Sequence, residues 1–223
     1  IHHRFFLNKL LRDRIDIALV IFETSVNKPQ FEVGPFYNHE EDEFEKEKFS
    51  KDVSLELTHP NVVYTDNVND LNVIEQIKKS ESDTAIVFGT GLIKPPLIKL
   101  FDNKIINIHR GIAEEYRGLD SDLWALYHED YNNLGVTIHK VTQELDKGEI
   151  SYQRYLNLDE VEKIFHIRYH TTLIAYDLVL ETLRDISLGT VNFIPQTKFG
   201  RYYSFMPLDL KRIAEKKFIK FKK

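Results

Sequence analysis

Asn107 and His109 stand two positions apart in Ile105-Ile106-Asn107-Ile108-His109, and Asp146 follows downstream in Leu145-Asp146-Lys147-Gly148, with Thr137-Ile138-His139-Lys140 between them. An amide N–H can donate to a carbonyl oxygen that is becoming negative, and a preorganised donor of this kind is commonly the largest catalytic term. If the strand persists to His109, the two residues share one face. The imidazole would then stabilise the same oxyanion or shuttle a proton, and Asp146 would hold it charged or pass the proton through a water. Together they describe an acyl-transfer site without a covalent nucleophile.

The rest of the chain agrees with that chemistry by what it omits. It has no cysteine, and no Gly-x-Ser-x-Gly elbow occurs. His2-His3 is terminal, neither a His-Glu-x-x-His motif nor a Cys cluster exists, and His166 and His170, four apart on a predicted helix, read as a solvated or partly packed pair. No metal is expected. Gly89-Thr90-Gly91 invites a dinucleotide reading, but no third glycine follows at the required spacing and Pro95-Pro96 intervenes. Turn geometry is the better account, with the turn free to line a ligand pocket. A formal net charge of -5 argues against affinity gained by neutralising a long nucleic acid. A few local Arg or Lys residues would still suffice for a compact phosphorylated substrate.

The elements that must position the trio follow from apolar periodicity. Helical spacing over 5–12 leads into a buried strand at 16–22, and strands at 62–65, 84–88 and 104–108 alternate with helices at 69–79 and after Pro95-Pro96. Such alternation predicts a mostly parallel α/β sheet, with ligands beyond the carboxyl ends of its strands, where Asn107 and His109 fall. The acidic stretch 38–52 reads as a solvated helix or mobile excursion. A helix over 120–129 follows, with Asp120 or Ser121 as its cap and Trp124 and Tyr127 as core residues. Asp120 and Asp122 read as helix-starting residues, although an acidic pair suits an incoming ammonium group. Strands at 134–141 and 149–156 and a long amphipathic helix at 160–186 complete the domain. Strand-like 191–194 and 201–205 then predict a hairpin, before a final helix from Pro207 with a basic, solvated end.

Asn107-Ile108-His109, Tyr116-Arg117-Gly118, Gly135-Val136-Thr137-Ile138-His139-Lys140-Val141-Thr142 and Glu144-Leu145-Asp146-Lys147-Gly148 form an ordered set that resembles the folate-dependent formyltransferases. The resemblance is clearest over 84–151 and points most to the nucleotide-sugar N-formyltransferases. It implies a Rossmann-like formyltransferase fold, with 10-formyltetrahydrofolate as co-substrate and Asn107, His109 and Asp146 as the catalytic residues. It also implies a folate pocket made by the loop Val141, Thr142, Gln143, Glu144, Leu145 and Asp146, with Leu92 and Ile93 at a neighbouring strand end. Arg110, Tyr116, Arg117 and His139 are the expected substrate-binding residues. Departures fall on the acceptor side: Arg110-Gly111 where many relatives carry a Ser after the His, and Glu114-Glu115 before Tyr116.

At this length one catalytic domain is expected over 1–189, with a C-terminal hairpin and helix over 190–223 suited to a homodimer interface or to acceptor binding. In relatives a first strand and a glycine-bearing turn precede the first helix, so residues before Ile1 are expected. No apolar run approaches the length of a membrane span, and a cytoplasmic setting is the default. The expected acceptor is the amine of a nucleotide-linked amino sugar. Glycinamide ribonucleotide is the nearer rival, and tRNA is disfavoured by net charge and by the lack of room for a further C-terminal domain. A catalytically silent folate- or nucleotide-binding module is the reading from a different class.

Overall fold

A computed structural model describes residues 1–25, 29–34, 36–102 and 104–223. Apolar periodicity becomes alternating elements: α1 (His2–Arg12), β1 (Val20–Glu23), α2 (Asn38–Phe49), β2 (Val62–Thr65), α3 (Leu71–Lys79), β3 (Ala85–Phe88), α4 (Pro95–Leu100) and β4 (Ile105–His109). Then come β5 (Tyr116–Gly118), α5 (Ser121–Tyr127), β6 (Gly135–Lys140), β7 (Ile150–Tyr155), α6 (Ile167–Leu188), β8 (Arg201–Tyr203) and α7 (Leu208–Phe221). The fold is mixed α/β, with parallel strand pairs flanked by helices.

Parallel pairing joins β1 to β2, β3 to β4 and β5 to β8. The strand β6 runs antiparallel to both β4 and β7, so the central sheet, in the order β3-β4-β6-β7, is mixed. The β6–β7 reversal has a local cause. Only the loop 141–149 links β6 to β7, and a link that lacks a crossover helix pairs strands antiparallel.

Alternation along β4 decides what reaches the site. Ile106 and Ile108, 0% and 3% exposed, pack with Phe6, Leu10, Val136, Ile138, Ala175 and Val179. Ile105 faces the other way, into a second core with Ile74, Ile77, Leu97 and Ile98. Each such burial contributes roughly 1.5–3 kcal/mol, so the strand cannot slip by one residue without exchanging its isoleucines for Asn107 and His109.

Four segments differ from their predicted form, the first being the buried strand expected at 16–22, which is the half-buried β1. The acidic stretch is the helix α2, but it is not simply solvated: Glu41, Asp42 and Glu45 all turn onto Arg168 at the start of α6, and Glu45 is fully buried. The long helix begins at Ile167 rather than 160, after two short 3₁₀ turns, and it is buried on more than one face. Thr171, Thr172 and Thr182 are hidden in it by returning their hydroxyls to carbonyls one turn earlier. Gly189, at φ +67, ends it in the left-handed conformation that glycine adopts without cost.

The predicted C-terminal hairpin does not form. Ile194 bridges to Ile150 beside β7, whereas β8 joins β5, and α7 places Ala214 and Phe218 in the same core as Ala125 and Leu126 of α5. Each strand-like stretch finds an unsatisfied edge elsewhere in the chain in preference to its sequence neighbour. Gly118 makes the β5–β8 approach feasible: at φ +93, a Cβ there would lie 2.0 Å from the Tyr203 carbonyl oxygen. Gly118→Ala is expected to cost about 3 kcal/mol, read as a lowered urea midpoint. An unchanged midpoint would mean that β8 does not hold this position.

Candidate active site

Strand register brings together what the sequence separates. Asn107 pairs directly with His139 across β4 and β6, and a bulge between Ile138 and His139 shifts the pairing of β6 with β7 at that point. Bulges re-aim side chains. Asp146 arrives from the 141–149 loop in a left-handed conformation, φ +52, which is uncommon for a residue with a side chain. The Gly118 N–H donates to its Oδ2 at 2.7 Å and fixes the carboxylate.

His109 is 5% exposed, His139 2% and Asp146 8%, so their mutual geometry rather than water sets their chemistry. The His109 Nε2–H donates to the Tyr116 carbonyl at 2.7 Å, which leaves Nδ1 facing Asp146 Oδ2 at 3.6 Å. That separation is too long for a hydrogen bond and short enough for strong charge coupling. His139 donates Nδ1–H to the Lys140 carbonyl at 2.8 Å, which in the neutral ring leaves Nε2 as an acceptor, 3.3 Å from Asp146 Oδ1. Asn107 Nδ2 lies 3.1 Å from that nitrogen and 3.3 Å from Asp146 Oδ1. Both amide hydrogens therefore have acceptors, but the one on Asp146 is long and weak, and a stronger acceptor in the cavity would take it.

Burial pushes the His109 imidazole below its ordinary value, against the pull of Asp146. Burial also works to raise Asp146, but the two imidazoles and the Gly118 N–H outweigh it and hold the carboxyl well below the usual carboxylate range. At neutral pH the resting site thus holds a neutral His109 beside an ionised Asp146. It can accept a proton without first losing one.

The trio opens onto a cavity of about 630 Å³. It is lined by the Gly89-Thr90-Gly91 turn, Leu92, Ile93, Val141, Thr142, Glu144 and Leu145, and by Arg110, Asp120, Ser121, Asp122, Glu41 and Arg168. Most of the predicted site residues converge here, including Arg110 and His139. Three do not. Gln143 is exposed and off the cavity wall. Tyr116 is buried and donates its hydroxyl to Asp130 at 2.9 Å. Arg117 donates to the carbonyls of Gly200 and Leu145 at 2.5 and 3.3 Å. Tyr116 and Arg117 position the walls instead of lining them, because β5 pairs with β8 and its side chains are used in that contact.

Two supports were not legible in the sequence. Glu23, at the end of β1, accepts the N–H groups of Gly91 and Val68 at 2.6 and 3.0 Å and shapes the turn after β3. Gln196 donates to the carbonyls of Asp146 and Gly148 at 2.8 and 2.9 Å and so clamps the loop that carries the carboxylate. Neither residue belongs to a motif, and the only signal for Gln196 is its place in a Pro-Gln-Thr turn. Gln196→Ala is expected to lower amide protection across 142–148 by roughly tenfold, the loss of one or two net hydrogen bonds. Hydrogen–deuterium exchange would show it, and unchanged protection would remove Gln196 from the support of the site.

A sequence profile of the formyl transferase family matches residues 36–172. The methionyl-tRNA formyltransferase of Borrelia duttonii is 26% identical over 199 residues, covering 89% of this chain and 60% of its own length. That of Finegoldia magna is 27% identical over 175 residues, covering 76% and 56%. The chain spans about half to three-fifths of the length of the curated relatives it matches. Among solved structures, the formyltransferase PseJ from Anoxybacillus kamchatkensis, in complex with UDP-4,6-dideoxy-4-formamido-L-AltNAc and tetrahydrofolate, is 28% identical with a TM-score of 0.55, covering 65% of this chain and 74% of its own. A 4-N formyltransferase from Francisella tularensis shares the fold, at 19% identity and a TM-score of 0.53 over 70% of this chain and 67% of its own.

Proposed function

This chain belongs to the formyl transferase family, and on that premise we propose that it moves a formyl group from 10-formyltetrahydrofolate to the primary amine of a nucleotide-linked amino sugar. The observation that carries the reading is the meeting of Asn107, His109 and Asp146 at one wall of a cavity, with no cysteine anywhere in the chain to serve as a covalent nucleophile. The folate side fits its ligand. Leu92 and Leu145 are 51% and 44% exposed on the cavity wall, apolar surface that a flat heteroaromatic ring would cover. When bound, the folate supplies the formyl carbon and a nitrogen able to leave.

The residues then divide the work. An attacking amine must be unprotonated, because an ammonium has no lone pair. As the amine nitrogen bonds to the formyl carbon, the carbonyl oxygen gains charge, and Asn107 turns its loosely held amide hydrogen from Asp146 to that oxygen. The neutral His109 takes the proton the amine sheds, Asp146 stabilises the imidazolium so formed, and the same proton passes to the departing nitrogen as its bond to the formyl carbon breaks. The products are a formamide and tetrahydrofolate, with no net change in charge at the enzyme.

The sugar acceptor is supported by the likeness to PseJ, and the names of the curated relatives favour methionyl-tRNA as a second reading. Mass spectrometry of 10-formyltetrahydrofolate reactions with UDP-linked amino sugars, glycinamide ribonucleotide and methionyl-tRNA distinguishes them. A product heavier by one carbonyl from the amino sugar is the expected result. Folate binding with no formamide from any amine would leave a non-catalytic binding module.

A further inference from the structure

Charges on the acceptor side of the cavity do not cancel. Arg168 is saturated, with Glu41, Asp42 and Glu45 each 2.6 Å from it. Asp120 accepts the Met206 N–H at 2.8 Å and faces Lys211 at 3.3 Å. Arg110 and Asp122 remain, and among the described residues neither has an ion-pair partner. The Asp122 carboxylate accepts a backbone N–H from Leu123 at 2.9 Å, and the Arg110 guanidinium rests 5.9 Å from the centre of the Phe88 ring. Both line the cavity beside His109.

Ser121 supplies an independent sign of a missing ligand. It is 3% exposed, lies on the same wall, and its Oγ has no hydrogen-bond partner. Buried polar atoms are ordinarily satisfied, so an orphan on a cavity wall is explained by a ligand that completes it. A guanidinium, a carboxylate and a free hydroxyl around one space are complementary to a molecule that carries both charges.

We infer that this wall selects the acceptor by requiring an amine and a phosphate or carboxylate in one small molecule: Asp122 and Ser121 receive the amino group beside His109, and Arg110 receives the anion. This rests on the formyl-transfer reading and names the residues through which its acceptor is chosen. Arginine suits the task because its fork binds phosphate or carboxylate oxygens in pairs. Burial raises the Asp122 carboxyl, only partly offset by Arg110, and an arriving ammonium would oppose that rise. The Arg110-Gly111 step after His109 and the Leu119-Asp120-Ser121-Asp122 run are then one device.

The test pairs acceptors that differ only in the anion: a UDP-linked 4-amino sugar against the free amino sugar, and glycinamide ribonucleotide against its dephosphorylated riboside. For at least one pair the native protein is expected to favour the phosphorylated member by roughly 10- to 100-fold in kcat/KM. Arg110→Gln should collapse that preference, lowering kcat/KM for the phosphorylated member by far more than for the unphosphorylated one. Asp122→Asn should lower kcat/KM for both members by a similar factor. Calorimetry with 5-formyltetrahydrofolate on each variant reports whether the fold and the folate side survive. A preference that persists in Arg110→Gln, an Asp122→Asn variant as active as the native protein, or folate binding with neither pair formylated would overturn the inference. Absence of folate binding by the native protein would instead overturn the formyl-transfer reading beneath it.

Discussion

Replacing Asn107 by Ala is expected to lower kcat by about 100- to 1,000-fold while leaving folate affinity nearly unchanged, since removing one oxyanion donor typically costs that much. The amide is held from both sides, by His139 Nε2 at 3.1 Å and Asp146 Oδ1 at 3.3 Å. The plane of the amide is therefore set before any substrate arrives, and only the long contact to Asp146 is exchanged for the oxyanion as charge develops. Folate affinity is spared because the residues proposed to hold the ring, Leu92, Ile93 and the 141–145 loop, do not depend on the amide. Loss of the amide also leaves two buried acceptors less well satisfied, costing about 1–2 kcal/mol in stability. Thermal unfolding measured alongside steady-state kinetics separates the two effects. A kcat within a few-fold of the native value, in a variant that still binds folate, would show that the oxyanion is stabilised elsewhere.

Much of this arrangement was legible in the sequence, for physical reasons that differ between residues. Asn107 and His109 were readable because a strand of alternating isoleucines leaves polar residues only one face to occupy. The Leu-Asp-Lys-Gly run marked Asp146 through its resemblance to the formyltransferases, whereas its left-handed backbone emerged only in the fold. The opposition of Asn107 and His139 was not readable, because it depends on the antiparallel pairing of β6 with β4, a long-range choice between residues 32 apart in the chain. The same limit hid the fate of the C-terminal stretches. Residues 191–194 and 201–203 have strand character, but pairing with β7 and β5 is decided by which edges are open in the folded chain. Arg117 was misplaced for a related reason: its guanidinium suits a phosphate as well as a carbonyl, and only the arrival of Gly200 decides between them.

Exchanging Asp146 for Asn tests the charge rather than the shape. The amide oxygen can still accept the Gly118 N–H, and Gln196 binds the backbone carbonyl, so the loop keeps its anchors. What disappears is the negative charge 3.6 Å from His109 Nδ1. Burial lowers the His109 pKa and Asp146 opposes it, so removing the carboxylate takes away a raising influence and the imidazole must titrate at lower pH than in the native protein. It then becomes a weaker base for the proton of the attacking amine, and turnover is expected to fall by about 100- to 10,000-fold, the range of general acid–base catalysis. The same sign governs stability. Asp146 has a depressed pKa when folded, so its contribution is present above the ordinary carboxylate pKa and is lost as pH falls through the folded value; Asp146→Asn should flatten that acid loss. NMR titration of the imidazole signals in both proteins reads the first effect, and because His109 and Asp146 are coupled the native curve reports constants of the pair. An imidazole that titrates at the same or a higher pH in the variant would mean that the carboxylate does not act through His109, and the proton would then need another route off the amine.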